Sequence, residues 1–250
     1  MHDNPLHLKN APIIETIFDI DCELTPGFEL PSVEEEIRIA VGDHYPKMRH
    51  TVLQEHQFLQ NGEAAPELAI RQGLQAIQFL TDDEKQIVQF RTGGFSFNRL
   101  APYYGLDDYL PEIERTWGLY QNLAKPVMIR KIGLRTINRI LLPLSDGKVR
   151  LEDYLHTCPR LPDEERLFFT GFLNHHAAEE QATGNRVNIV LTTQETESTA
   201  LPLILDIDAF RPCRFEPSPW GTIIEILTSL RDLKNRVFRH TLTSKCLNLF

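Results

Sequence analysis

Two stretches of this chain place charged side chains at two-residue intervals. In residues 13–22, Glu15, Ile17, Asp19 and Asp21 alternate with Ile14, Thr16, Phe18, Ile20 and Cys22. Alternate residues of an extended strand share a face, so three carboxylates point one way. Lys131, Gly133, Arg135, Ile137 and Arg139 form a matching basic series, set against Ile132, Leu134 and Ile140. If the two strands are antiparallel neighbours, one register sets Glu15 opposite Arg135 and Asp19 opposite Lys131, each pair contributing about 0.2–1 kcal/mol. Such a ladder has two readings: a structural set of ion pairs, or a polar floor that recognises a charged partner or ligand. In a pocket, Glu15, Asp19 and Arg135 would act as acid, base or anion clamp.

Other groups carry weaker signals. Asp206-Ile207-Asp208 repeats the spacing of Asp19-Ile20-Asp21, and converging carboxylates could hold Mg²⁺ or Mn²⁺. Aspartates at strand ends more often face solvent or cap turns, so no metal or other cofactor is expected. His175 and His176 are adjacent and would face opposite sides of a strand, which does not suit one ion. The sequence contains no G-x-S-x-G, H-E-x-x-H or P-C-x-x-C motif. Phe90-Arg91 and Phe95-Ser96-Phe97-Asn98-Arg99 mix aromatic and basic residues, as single-stranded nucleic-acid sites do. Core packing explains the phenylalanines more simply, and a formal charge of −9 opposes capture of a polyanion.

The elements that would position these residues follow from periodicity and turn signals. A strand over 13–20 precedes a helix opened by a Ser32–Glu35 capping box, with Val33, Ile37, Ala40 and Val41 on one face. Strands are expected near 49–60, 74–81 and 86–98, the last bent at Gly93-Gly94 by a bulge. A helix over about 107–124 repeats Leu106, Leu110, Ile113, Trp117, Tyr120 and Ala124. The order then restarts, with a strand to Ile140, a short helix over 151–158, and strands near 168–180, 185–194 and 201–210. A closing helix follows from Trp220, and a final short one over 243–250. The fold expected is α+β, a tandem duplication of a β-α-β-β-β-α unit (1–125 and 126–250, closely joined) that forms a curved antiparallel sheet with helices on one side.

With 250 residues and 42% hydrophobic residues, the chain can bury a substantial core. Neither a secretory signal nor a stretch of roughly 20 apolar residues is visible, so a cytoplasmic protein that does not use a membrane is expected. Cys22, Cys158, Cys213 and Cys246 lack C-x-x-C spacing and read as reduced, mostly buried thiols.

Residues 10–18 (NAPIIETIF), 95–100 (FSFNRL) and 130–140 (RKIGLRTINRI), with Leu205-Asp206-Ile207-Asp208 and the span from Phe238 to Thr243, carry a resemblance. Together they resemble a sporadically distributed bacterial family of uncharacterised proteins whose N-terminus reads N-A-P-I-x-E-x-x-F. The resemblance implies no catalytic residues. Patchy distribution implies an accessory role, as in mobile defence or toxin–antitoxin systems.

Three functional expectations follow. The first is a non-catalytic interaction protein that presents its sheet to a protein partner or to a second copy of itself, through Glu15, Asp19, Lys131, Arg135, Arg139, Asn98, Arg99 and Asn138. The second is an enzyme or small-ligand-binding protein with a polar pocket between sheet and helices. Nucleic-acid recognition through the sheet is the third, and the least favoured.

Overall fold

A computed structural model describes residues 8, 10–59, 67–160, 170–197, 199–217 and 220–250. Its strands are β1 (Ile13–Glu23), β2 (Lys47–Leu59), β3 (Glu67–Leu80), β4 (Gln86–Arg91), β5 (Gly94–Leu100), β6 (Met128–Pro143), β7 (Leu173–Glu180), β8 (Asn185–Thr193) and β9 (Ala200–Phe215). Its α-helices are α1 (Glu34–Val41), α2 (Leu110–Ala124), α3 (Trp220–Thr241) and α4 (Ser244–Leu247). Among the described residues the strands form one antiparallel sheet in the order β2-β3-β4-β5-β1-β6-β9-β8-β7. The α+β class and antiparallel sheet agree with the sequence reading. Among the described residues no helix is long and apolar enough to cross a membrane.

The core lies between the sheet and the helices. Phe18, Ile20 and Cys22 of β1 and Ile132, Leu134 and Ile140 of β6 are all at most 1% exposed. Phe90 and Phe95 pack edge-on at 6.2 Å, Phe95 meets Trp117 of α2 at 5.8 Å, and Trp117 stacks on Tyr120 at 5.6 Å. At the start of α3, Trp220 meets the Phe18 ring edge-on at 6.3 Å. Both long helices therefore cover the same face, and the charged face of β1 and β6 is the other one.

Several local expectations need correction. The stretch 86–98 is not one bulged strand but two, β4 and β5, joined by a hairpin turn at Thr92-Gly93. Gly94 pairs with Arg91 at φ +148°, and a Cβ there would lie 2.0 Å from the Ile20 carbonyl oxygen. Only glycine lets β5 approach β1 so closely. Ser32 does not cap a helix: its hydroxyl donates to the Glu29 carbonyl at 2.6 Å inside a 3-10 turn (Leu30–Val33), and Glu35 pairs with Arg38. The expected helix over 151–158 shrinks to a 3-10 turn, Leu151–Asp153. Part of the strand expected at 168–180 falls outside the described residues, and β7 begins at Leu173. Pro111 sits in the first turn of α2, where its missing N–H costs nothing.

β1 and β6 are adjacent and antiparallel, but their register differs from the one expected by two residues. Asp19 faces Gly133, Ile17 faces Arg135 and Asp21 faces Lys131. A two-residue slip keeps every side chain on its own face. The slip gives the Asp19 carboxylate room over Gly133, where a Cβ would meet Asp19 Oδ1 at 2.3 Å.

Candidate functional site

On the open face the charged residues mostly satisfy one another. Lys131 Nζ lies 3.0 Å from Asp19 and 3.1 Å from Asp21, while Arg91 donates to Asp21 at 3.0 Å. Burial raises the Asp19 carboxyl above its ordinary value, with Lys131 and Arg91 pulling the other way. Burial also works against the Lys131 ammonium, but attraction to Asp19 and Asp21 outweighs it and leaves that group above its ordinary value. Arg135 does not pair with Glu15. Its Nε and Nη2 hold both oxygens of Asp206, at 2.9 and 2.5 Å, one strand further on.

Glu15 instead ends an amide ladder. Asn98 donates to it at 2.8 Å, Gln89 donates to Asn98 at 3.1 Å, and Gln78 donates to Gln89 at 3.3 Å. Arg139 is held by Gln194 at 3.1 Å and by Glu197. Six of the eight residues singled out from the sequence thus share the open face, although they form four separate clusters. The other two lie on the helix side: the Arg99 guanidinium sits 5.4 Å from the Tyr109 ring centre, and Asn138 donates to the Leu205 carbonyl at 2.9 Å.

A different site opens on the helix side. A cleft of about 1020 Å³ lies between the sheet floor and α3, with Tyr103 to Asp107 along one wall and Pro12 and Ile13 along another. The inward series of β1 and β6 is interrupted there. Thr16 and Thr136 are direct partners across the two strands, are 5% and 1% exposed, and take the places that alternation would give to apolar residues. The Thr136 hydroxyl has no hydrogen-bond partner among the described residues. The Thr16 hydroxyl has the Tyr103 phenol as its hydrogen-bonding neighbour. Asn138, 1% exposed, continues the polar floor.

The roof is the cationic side of α3. Arg211 on β9 donates to Asn185 at 2.8 Å, and Asn185, fully buried, donates to Ser229 at 2.8 Å, which pins the middle of the helix to the sheet. Among the described residues the cleft is lined by four cations, Arg231, Lys234, Arg236 and Arg239, and three acids, Asp107, Glu180 and Asp232. This excess of positive charge belongs to a chain whose net charge is −9. Arg231 is paired with Asp107 at 2.7 Å and Arg236 with Glu180 at 2.5 Å. Among the described residues no carboxylate pairs with Lys234. Burial pushes its ammonium down to about 8, and repulsion from Arg231, three residues earlier on α3, adds to that.

Lys234 and the threonine pair were missed in the sequence, although each left a trace. Lys234 falls in the same four-residue row as Leu230 and Phe238, both buried. Thr136 and Asn138 stand where Ile132 and Leu134 lead one to expect further apolar residues. A polar residue at an inward position is the informative departure from pattern.

Among the described residues no three His, Cys, Asp or Glu side chains converge on a cation-sized site. Asp19 and Asp21 are engaged by Lys131, and Asp206 by Arg135. All four cysteines are free thiols, with Cys22 and Cys246 buried. No protein-family model matches the chain. A search of curated proteins likewise returns no match.

Proposed function

We propose that this chain is a binding protein for small anionic ligands, which it holds in the cleft between α3 and the sheet. The observation that carries the reading is the presence in one cleft of Lys234, an ammonium with no carboxylate partner among the described residues, and of the polar floor residues Thr136 and Asn138. A desolvated charge without a counter-ion and a buried hydroxyl without an acceptor or donor are each unfavourable by about 1–3 kcal/mol. An anion that accepts from Lys234 would offset the first. The volume suits a ligand of metabolite size.

The open face supports partner recognition less well. Its cations already hold Asp19, Asp21, Asp206 and Glu197, so a partner would have to displace existing pairs. A structural ladder fits that face better. Outward from the β1–β6 pair, β5-β4-β3 on one side answer β9-β8-β7 on the other, and β2 has no counterpart among the described residues. We read this as a tandem repeat, with the threonine pair beside the approximate twofold axis.

A thermal-shift screen of phosphate, pyrophosphate, citrate and nucleoside diphosphates tests the function. At 100 times its dissociation constant a ligand that binds only the folded state stabilises by about 2.7 kcal/mol, several degrees for a chain of this size. The shift should vanish in Lys234→Met and survive in Arg135→Met, which alters only the open face. A shift lost in Arg135→Met and kept in Lys234→Met would move the site to the open face and overturn the proposal.

A further inference from the structure

We propose that Lys234 is an imine-forming amine, so that the cleft takes an anion bearing an aldehyde or ketone. The inference rests on the anion-binding reading above and names the ligand's reactive group. Three features of the site support it. Lys234 lines the cleft from α3 with no carboxylate paired to it among the described residues. Arg231 stands one helical turn before it, the arrangement by which a neighbouring cation keeps an amine partly neutral. Thr136, whose buried hydroxyl has no hydrogen-bond partner among the described residues, makes part of the floor of the same cleft polar.

The charged groups around the cleft leave this amine available. Among the described residues they are Asp107, Glu180, Arg231, Asp232, Arg236 and Arg239. Asp107 is held by Arg231 and Glu180 by Arg236, and Asp232 is exposed. An ammonium fixed by a carboxylate has no lone pair to give. With its burial and the Arg231 charge, Lys234 reaches the neutral form near pH 8, whereas an ordinary surface lysine does so near 10.5.

The step balances without an oxidant or reductant. The neutral Nζ donates its lone pair to the carbonyl carbon, and the C=O π pair moves to oxygen. Proton transfer from nitrogen to that oxygen gives a carbinolamine. Its C–O bond then breaks as the remaining nitrogen lone pair forms C=N, the oxygen leaves as water after a second proton is supplied from solvent, and the product is a protonated imine. Addition of water reverses each step. The protonated imine keeps the positive charge of Lys234 beside the ligand's anionic group, which favours carbonyl acids and carbonyl phosphates over neutral aldehydes.

Reductive trapping tests this. The full chain is incubated with glyoxylate and sodium cyanoborohydride over pH 6–10, and adducts are located by intact mass and peptide mapping. The expected result is one predominant adduct on Lys234, formed at least tenfold faster than on any other lysine at pH 7.5. Its rate should rise toward pH 8, and acetaldehyde should label far less selectively. Lys234→Arg should lose the adduct, whereas Arg135→Met, on the open face, should keep both the adduct and the anion-dependent thermal shift. Labelling spread over lysines according to exposure, or a Lys234 that stays unmodified, would overturn the imine proposal. If the anion shift persists in that case, ligand binding stands without the covalent step. If the shift is absent too, both readings fall.

Discussion

Asp19 sits at the balance point of the open face, because it is buried yet held only by Lys131 and a more distant Arg91. Its folded-state pKa lies above the unfolded value of 3.8. Its contribution to stability is therefore fullest below that value and declines as pH rises through the folded pKa. Lys131→Met removes the attraction that limits this decline. It should destabilise by about 1–3 kcal/mol at pH 7 and by less at pH 4, as read by urea unfolding at the two values; equal losses would contradict the assignment. Lys234 has the opposite sign. With its folded value near 8 against 10.5 for a free lysine, the ammonium weakens the fold fully below pH 8, and the penalty fades as pH rises toward 10.5. Lys234→Met is expected to raise stability at pH 7 by about 1–2 kcal/mol after screening by water in the cleft, and by almost nothing at pH 11. A variant that destabilises at pH 7 would mean that the ammonium has a partner.

At the scale of elements, close approach of backbones decides where strands end and which pair. Gly94 starts β5 against the Ile20 carbonyl, so Gly94→Ala should cost about 3 kcal/mol or more through a clash that no rotamer relieves. Equilibrium denaturation measures that loss, and a change under 1 kcal/mol would contradict the β5–β1 register. The Arg135–Asp206 fork is geometrically good, but Arg135 is 43% exposed. A double-mutant cycle on the pair should return a coupling of only about 0.5–1 kcal/mol. Much of this level was readable in the residues. The alternation in β1 and β6 and the apolar row of α2 gave the correct faces, because burial acts on every second or every third to fourth residue. The Thr92-Gly93 hairpin was not readable, since paired glycines fit a bulge and a turn equally well. The register also escaped, because a slip of two residues leaves every face unchanged and is settled by Gly133, whose missing side chain admits the Asp19 carboxylate.

For the whole molecule, the sheet runs without a break through the β1–β6 pair. One cooperative urea transition is expected, with fluorescence and circular dichroism coinciding. Separate pieces 1–125 and 126–250 should fail to fold, because each would expose β1 or β6 as a new unpaired edge. The cleft draws its floor from β1 and β6 and its roof from α3. That is why the sequence pointed to charged residues of the open face, which announce themselves by alternation, and passed over the site. Two threonines separated by about half the chain and one lysine in an apolar row become a constellation only after folding. The most direct test is calorimetric titration of pyrophosphate, citrate and a nucleoside diphosphate into the intact protein at pH 8 in buffers of different ionisation enthalpy. Binding of an anion stabilises the Lys234 ammonium, so at least one of the three should bind with uptake of a fraction of a proton, and Lys234→Met should abolish that uptake. Absence of binding by all three below 10 mM, or proton uptake unchanged in Lys234→Met, would contradict the account.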